Sequence, residues 1–99
     1  MKIRRKVDLG LIKYIGQNLP CIACAKPPPS DCHHIRTRKS GGDDSVNNCI
    51  SLCRDHHSQV HACGLVRFSE EYESVKHWLL SANWIYDGFR NKWIYEGDA

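Results

Sequence analysis

At 99 residues the chain is one domain on size, and folding removes only roughly 65% of its unfolded surface from water. Six Cys, six His and three Trp stand out in an ordinary globular balance of 41% hydrophobic and 25% charged residues, so the thin core is expected to carry a staple. Neither an export signal nor a membrane span is legible: Met1–Lys6 is basic, but VDLGLIKYIG is short and is interrupted by Asp8 and Lys13. A cytoplasmic setting with reduced cysteines follows, which favours metal ligation over disulfides. The net charge of +3 is weak evidence for a nucleic-acid partner. Its distribution says more, because basic residues cluster at Lys2, Arg4, Arg5, Lys6 and again at Arg36, Arg38, Lys39 beside a histidine pair.

In chain order, Asp8 to Gln17 reads as a helix 8–17, with Leu9, Ile12 and Ile15 at three-residue spacing and Pro20 as its stop. Cys21-Ile-Ala-Cys24 opens a knuckle, and Pro27-Pro28-Pro29 carries the chain in extended form into Asp31–Arg36. Arg38 to Asn47 is a loop turning at Gly41-Gly42, and Cys49–Leu52 is strand-like. A helix is predicted from Arg54 to near Ala62, ended by Gly64, and another from an N-cap at Ser69, with Tyr72, Val75, Leu79 and Ala82 as its packing stripe. Beyond Asn83, WIYDGFRNKWIY either continues as helix, since Ile85, Phe89 and Trp93 are four apart, or turns into a hairpin at Asp87-Gly88. Segment 69–95 is assigned as largely helical. With no internal repeat, residues 1–99 read as one domain with a motif core at 21–64.

Cys21-x2-Cys24 and Cys53-x2-His56 are two paired-ligand units roughly thirty residues apart, the spacing of a tetrahedral Cys3His structural zinc site. A redox Cys-x-x-Cys is the alternative, but no thioredoxin-like βαβ pattern follows. Cys32, Cys49 and Cys63 read as small buried hydrophobes.

His33, His34, Asn48, His57 and His61 form a second constellation. On a helix His57 and His61 share a face one turn apart, whereas His56 points about 100° away, which separates the knuckle from a second cation site.

In order and spacing, Cys21-x2-Cys24, Asp31-Cys-His-His-Ile35, Gly41-Gly42, Asn48-Cys-Ile-Ser-Leu-Cys53 and Arg54-Asp-His-His57-x3-His61-x2-Gly64 resemble the zinc-knuckle branch of the HNH (ββα-metal) endonucleases. With Phe68 and Tyr72 following, they are similar to small phage and prophage nucleases of that family. The resemblance implies an α+β fold: a ββα-metal core with a structural zinc knuckle, flanked by N- and C-terminal helices. It also implies that His34 is the general base, that His33 and His57 bind the catalytic metal with His61 as third ligand, and that Asn48 ties the loop between the strands. The implied products carry 5′-phosphate and 3′-hydroxyl ends. His33 stands where many members carry an acidic ligand, and His56 where a fourth Cys is usual. Three imidazoles suit Zn2+, Ni2+ or Mn2+ better than Mg2+, so the site is expected to bind transition metals tightly, while the expected working ion is still Mg2+ or Mn2+, with Ni2+ or Zn2+ as alternatives. Strict strand alternation puts His33 and His34 on opposite faces, so a shared site requires the strand to twist or kink there.

Hydrolysis of a phosphodiester needs an attacking hydroxide, charge stabilisation and help for the leaving oxygen. A neutral histidine with an ordinary pKa of ~6.5 can take the proton from water. Arg36, Arg38 and Lys39 suit DNA phosphate positioning, although a solvated loop explains them nearly as well. Trp78, Trp84 and Trp93 belong to core or interface, and a homodimer through this Trp-rich segment is one arrangement they allow. Two other functions compete: a non-catalytic zinc-dependent DNA-binding module, and a redox or zinc-buffering protein. Neither needs His34 beside the other imidazoles.

Overall fold

The computed structural model describes residues 5–96. Asp8 caps the first helix, α1 (Leu9–Asn18), by accepting the Leu11 N–H at 2.9 Å. Of the expected stripe only Ile15 is buried, so α1 is a lid held against the strands by one anchor. Strands β1 (Asp31–His34) and β2 (Cys49–Leu52) pair antiparallel, with Asp31 opposite Leu52 and His34 opposite Cys49. Every residue of β2 is buried, and its apolar Ile50 and Leu52 enter the core. Helix α2 (Arg54–Cys63) follows directly and ends at Gly64, whose φ of +85° favours glycine. Antiparallel strands followed by a helix thus make a ββα unit, as expected.

The loop between β1 and β2 contains a 3-10 turn (Arg38–Ser40) and closes on Gly42, where a Cβ would meet the Arg36 carbonyl oxygen at 1.8 Å. Only glycine permits this approach. Asn48 fixes the same loop: its Oδ1 accepts the Arg36 N–H at 2.8 Å, and its Nδ2 donates to the carbonyls of Arg36 (3.0 Å) and Asp43 (2.9 Å).

Helices α3 (Leu65–Glu71) and α4 (Glu73–Ser81) replace the single helix expected from Ser69. Ser69 is no cap. It lies buried inside α3, donating to the Val66 carbonyl at 2.7 Å and accepting the Trp93 indole N–H at 3.0 Å. The break falls at Tyr72, which is extended (φ −116°, ψ 102°). Val75, Leu79 and Ala82 are buried as the stripe predicts.

The largely helical assignment of 69–95 is corrected beyond Ser81. There the chain forms a hairpin, β3 (Trp84–Asp87) and β4 (Lys92–Tyr95), with Asp87 opposite Lys92. The Asp87 carboxylate accepts the N–H groups of Phe89 (3.0 Å) and Arg90 (3.2 Å), fixing the turn. Phe89, the middle residue of the apparent helical period, is fully exposed at its tip. Trp84 and Trp93 are buried in the chain's own core with Phe68, Val75 and Leu79, and Trp84 donates to the Asn47 carbonyl at 2.6 Å. These two rings thus serve the chain's own core. No described helix is long and apolar enough to cross a membrane.

Candidate metal centres and active site

The knuckle is assembled from two turns. Cys21 and Cys24 flank a tight turn closed by the Ala25 N–H on the Cys21 carbonyl (2.7 Å), and Cys53 caps α2, which carries His56. The Ile22 N–H donates to the Ser51 carbonyl at 3.0 Å, and the Ser51 hydroxyl donates to the Pro20 carbonyl at 2.6 Å, so β2 holds the first turn beside the second. Cys53 Sγ lies 3.1 Å and Cys21 Sγ 3.7 Å from His56 Nδ1, and Cys24 Sγ lies 4.0 Å from Cys53 Sγ. All four ligand atoms fall within 4.8 Å of one another. Burial pushes the Cys21 thiol up, but the backbone N–H groups of Cys53, Cys24 and Ala23 outweigh it and bring it below its ordinary value, the direction a thiolate ligand requires. Three thiols and one imidazole are a donor set suited to zinc.

The residues that aim His56 are not evident from the sequence. Its Nε2 donates to the Tyr72 hydroxyl at 3.1 Å, which donates to Gln59 Oε1 at 2.9 Å, and Gln59 Nε2 donates to Glu71 at 2.9 Å. The chain leaves Nδ1 with its lone pair toward the thiols. The sequence places Tyr72 only in a packing stripe; its position beside the break between α3 and α4 delivers this hydroxyl.

A second cluster lies where β1 faces α2. His33, on β1, meets His57 and His61 of α2, with ring centroids 5.3 and 5.1 Å away. The Nε2 atoms of His57 and His61 are 3.1 Å apart, close to the nitrogen–nitrogen edge of a coordination sphere with bonds of about 2.1 Å. Asp31 Oδ2 accepts from His57 Nδ1 at 3.0 Å, which fixes the tautomer with its lone pair on Nε2. Asp31 also pairs with the exposed Arg54 at 3.1 Å. In the sequence Asp31 belongs to the motif without a role of its own. Burial, with the nearby His57, His61 and His34 adding to it, pulls His33 down to about 4, so the ring is neutral at physiological pH, as a metal ligand must be. The donors fit a borderline transition metal. The surrounding cleft, about 540 Å³, opens to solvent past Ser30, Arg54 and Ser58.

His34 is not in this cluster. The β1–β2 register runs unbroken to its pair with Cys49, so alternation holds and His34 lies on the other face from His33; the kink that a shared site required is absent. There it donates from Nε2 to Asp44 Oδ1 at 2.7 Å, leaving Nδ1 as the accepting nitrogen. Asp44 is fully buried and also holds the Arg5 guanidinium and, at 2.9 Å, the Asp8 N–H. Burial raises the Asp44 carboxyl, yet the Asp8 N–H, His34 and Arg5 outweigh it and hold it below its ordinary value. Arg5, which the sequence places in a basic tail, is thus an internal ion-pair partner, while Lys2 and Arg4 lie outside the described residues.

Cys49 is buried as expected, but Cys32 and Cys63 are only partly so. The proximity of the Cys32 and Cys49 thiols pushes Cys32 up and Cys49 down, and both sit with His34 in a third close group. Arg38 and Lys39 are exposed on the 3-10 turn, and Arg36 lies at the end of β1 beside Asn48.

Residues 21–62 match the family model described as HNH endonuclease. The chain is also similar to the Type IV methyl-directed restriction enzyme EcoKMcrA of Escherichia coli (strain K12), 33% identical over 52 residues. That stretch is 52% of this chain, which spans only 19% of the relative. No solved structure gives a significant match. Both metal clusters and Asn48 lie within the matched residues: residues 21–62 are a domain of the HNH endonuclease family.

Proposed function

We propose that this chain is a metal-dependent DNA endonuclease in which His33, His57 and His61 hold one divalent cation and His34 is the general base. The observation that carries the reading is the convergence of three imidazoles with Asp31 behind one of them. When bound, the cation would offset charge on the scissile phosphate and assist the leaving 3′-oxygen. His34 is oriented through its Nε2–H bond to Asp44, and Nδ1 takes the proton from the attacking water. Asn48 positions: by tying Arg36 and Asp43 it sets the loop that presents Asp44 to His34. Because His33 and His34 are successive at the end of β1, a phosphodiester seated across that end would meet the cation from one side and the base from the other. The family match and the restriction-enzyme relative support DNA as substrate, and Mn2+ or Mg2+ as the working ion follows from hydrolytic chemistry at phosphate.

Supercoiled plasmid incubated with the protein and Mg2+, Mn2+ or Ni2+ should open to circles, and EDTA should stop the reaction. His34→Ala should slow it by roughly 10²–10⁴-fold. Equal rates for wild type and His34→Ala would remove His34 as base. Plasmid that stays supercoiled with every metal while gel shifts report binding would replace this reading with a zinc-dependent DNA-binding module.

Arg36, Arg38 and Lys39 are proposed to bind DNA phosphates. Replacing Arg38 and Lys39 by Ala should reduce the slope of log affinity against log salt by about 0.9 for each phosphate that the protein no longer neutralises. An unchanged slope would leave them as a solvated turn.

A further inference from the structure

Neither metal centre above uses Cys32 or Cys49. We propose that Cys32, His34 and Cys49 form a third metal site, selective for thiophilic ions of the zinc and cadmium class, and that an ion there switches the nuclease off by occupying the His34 imidazole. Binding stands on the geometry alone; the inhibition rests on His34 being the base.

The strand register creates the site. His34 pairs with Cys49 across the sheet, and Cys32, two residues before His34, projects from the same face. One ligand atom from each lies within 4.8 Å of the others, the same limit that encloses the four knuckle ligands and the three imidazoles. Bonds of about 2.3 Å to sulfur and 2.0 Å to nitrogen require only slightly shorter ligand separations, within reach of rotamer adjustment. Asp44 completes the setting. Its buried carboxylate, 2.7 Å from His34 Nε2, supplies negative charge next to the cation, as an oxygen donor or as the partner that orients the ring. Two sulfurs and one imidazole select against Mg2+ and Mn2+, so the ions expected to drive cleavage would not fill this site. Cys32 is half-buried and gives an incoming ion a point of entry.

Site-resolved alkylation of the full, reduced chain tests the binding. With zinc at ten times the dissociation constant, N-ethylmaleimide labelling of Cys32 and Cys49, read by peptide mass spectrometry, should slow together by about tenfold. Cys63 should be unaffected, and Mg2+ should protect neither. Rates for Cys32 and Cys49 that ignore zinc, or protection equally given by Mg2+, would overturn the site. In plasmid nicking with Mn2+ as the working ion, added zinc should inhibit wild type. The Cys32→Ser/Cys49→Ser variant should nick at the wild-type basal rate and resist that inhibition. Equal inhibition of both would overturn the switch. A protein that nicks no plasmid under any condition would defeat the nuclease reading, and alkylation would still decide the metal site.

Discussion

Replacing Cys53 by Ser is expected to unfold most of the domain. Its thiol stands 3.1 Å from His56 and 4.0 Å from Cys24, and its backbone caps α2, so one side chain joins the first knuckle turn to the helix that carries the second cluster. The apolar core beneath it is small: Ile50, Leu52, Val60, Phe68, Val75 and Leu79 with two tryptophans. Structural zinc contributes an apparent ~10–16 kcal/mol to folding in small zinc domains, against a net stability of about 5–15 kcal/mol for ordinary ones. Losing one of four ligands should therefore cost about 5 kcal/mol or more. Urea unfolding followed by tryptophan fluorescence would show it, with Cys63→Ser as the control, expected within about 0.5 kcal/mol of wild type because Cys63 belongs to no metal cluster among the described residues. A Cys53→Ser midpoint equal to wild type would deny the knuckle its structural role.

His57→Ala is expected to abolish nicking while leaving the fold intact. His57 is partly exposed and lies outside the apolar core, so little packing is removed. It does, however, supply a nitrogen 3.1 Å from that of His61, and its loss leaves two imidazoles to hold the cation. A rate loss of roughly 10³-fold or more is expected, as for removal of a principal charge-stabilising group. Asp31→Asn tests the same centre more gently. Without the carboxylate on Nδ1 the tautomer is less firmly set, and metal affinity should weaken by about 10–100-fold, with the rate recovering at saturating metal. A lower rate at saturating metal with unchanged affinity would assign Asp31 to another step.

Much of this arrangement is legible in the sequence because ligand spacing is a local property. Cys-x2-Cys, Cys-x2-His and His57-x3-His61 each place two donors on one turn, and the turns come together as the spacing indicates. Strand alternation likewise separates His33 from His34, and the structure follows that rule rather than the kink a shared site required. What the sequence does not disclose is long-range. Asp44 sits in a loop that reads as solvated, yet its burial depends on Arg5 and Asp8 folding back across more than thirty positions. Tyr72 looks like a core residue because its hydroxyl partner is sixteen residues away on another helix. The C-terminal hairpin is open to misassignment because Ile85, Phe89 and Trp93 fit a helical period by coincidence; the Asp87 carboxylate on two turn N–H groups decides it. A helix beginning at Ser69 fails for a similar reason, since a serine that bonds a buried indole resembles a cap in sequence.

The most direct test of the central claim follows metal binding and nicking in the same samples. Wild type and His57→Ala, both with the knuckle intact, would be titrated with Mn2+ while bound ion is read by electron paramagnetic resonance and open circles are counted. Coincident midpoints for binding and cleavage in the wild type, with both lost in His57→Ala, are the expected result. Cleavage by His57→Ala at the wild-type rate and metal dependence would contradict it, and would move the catalytic cation away from His33, His57 and His61.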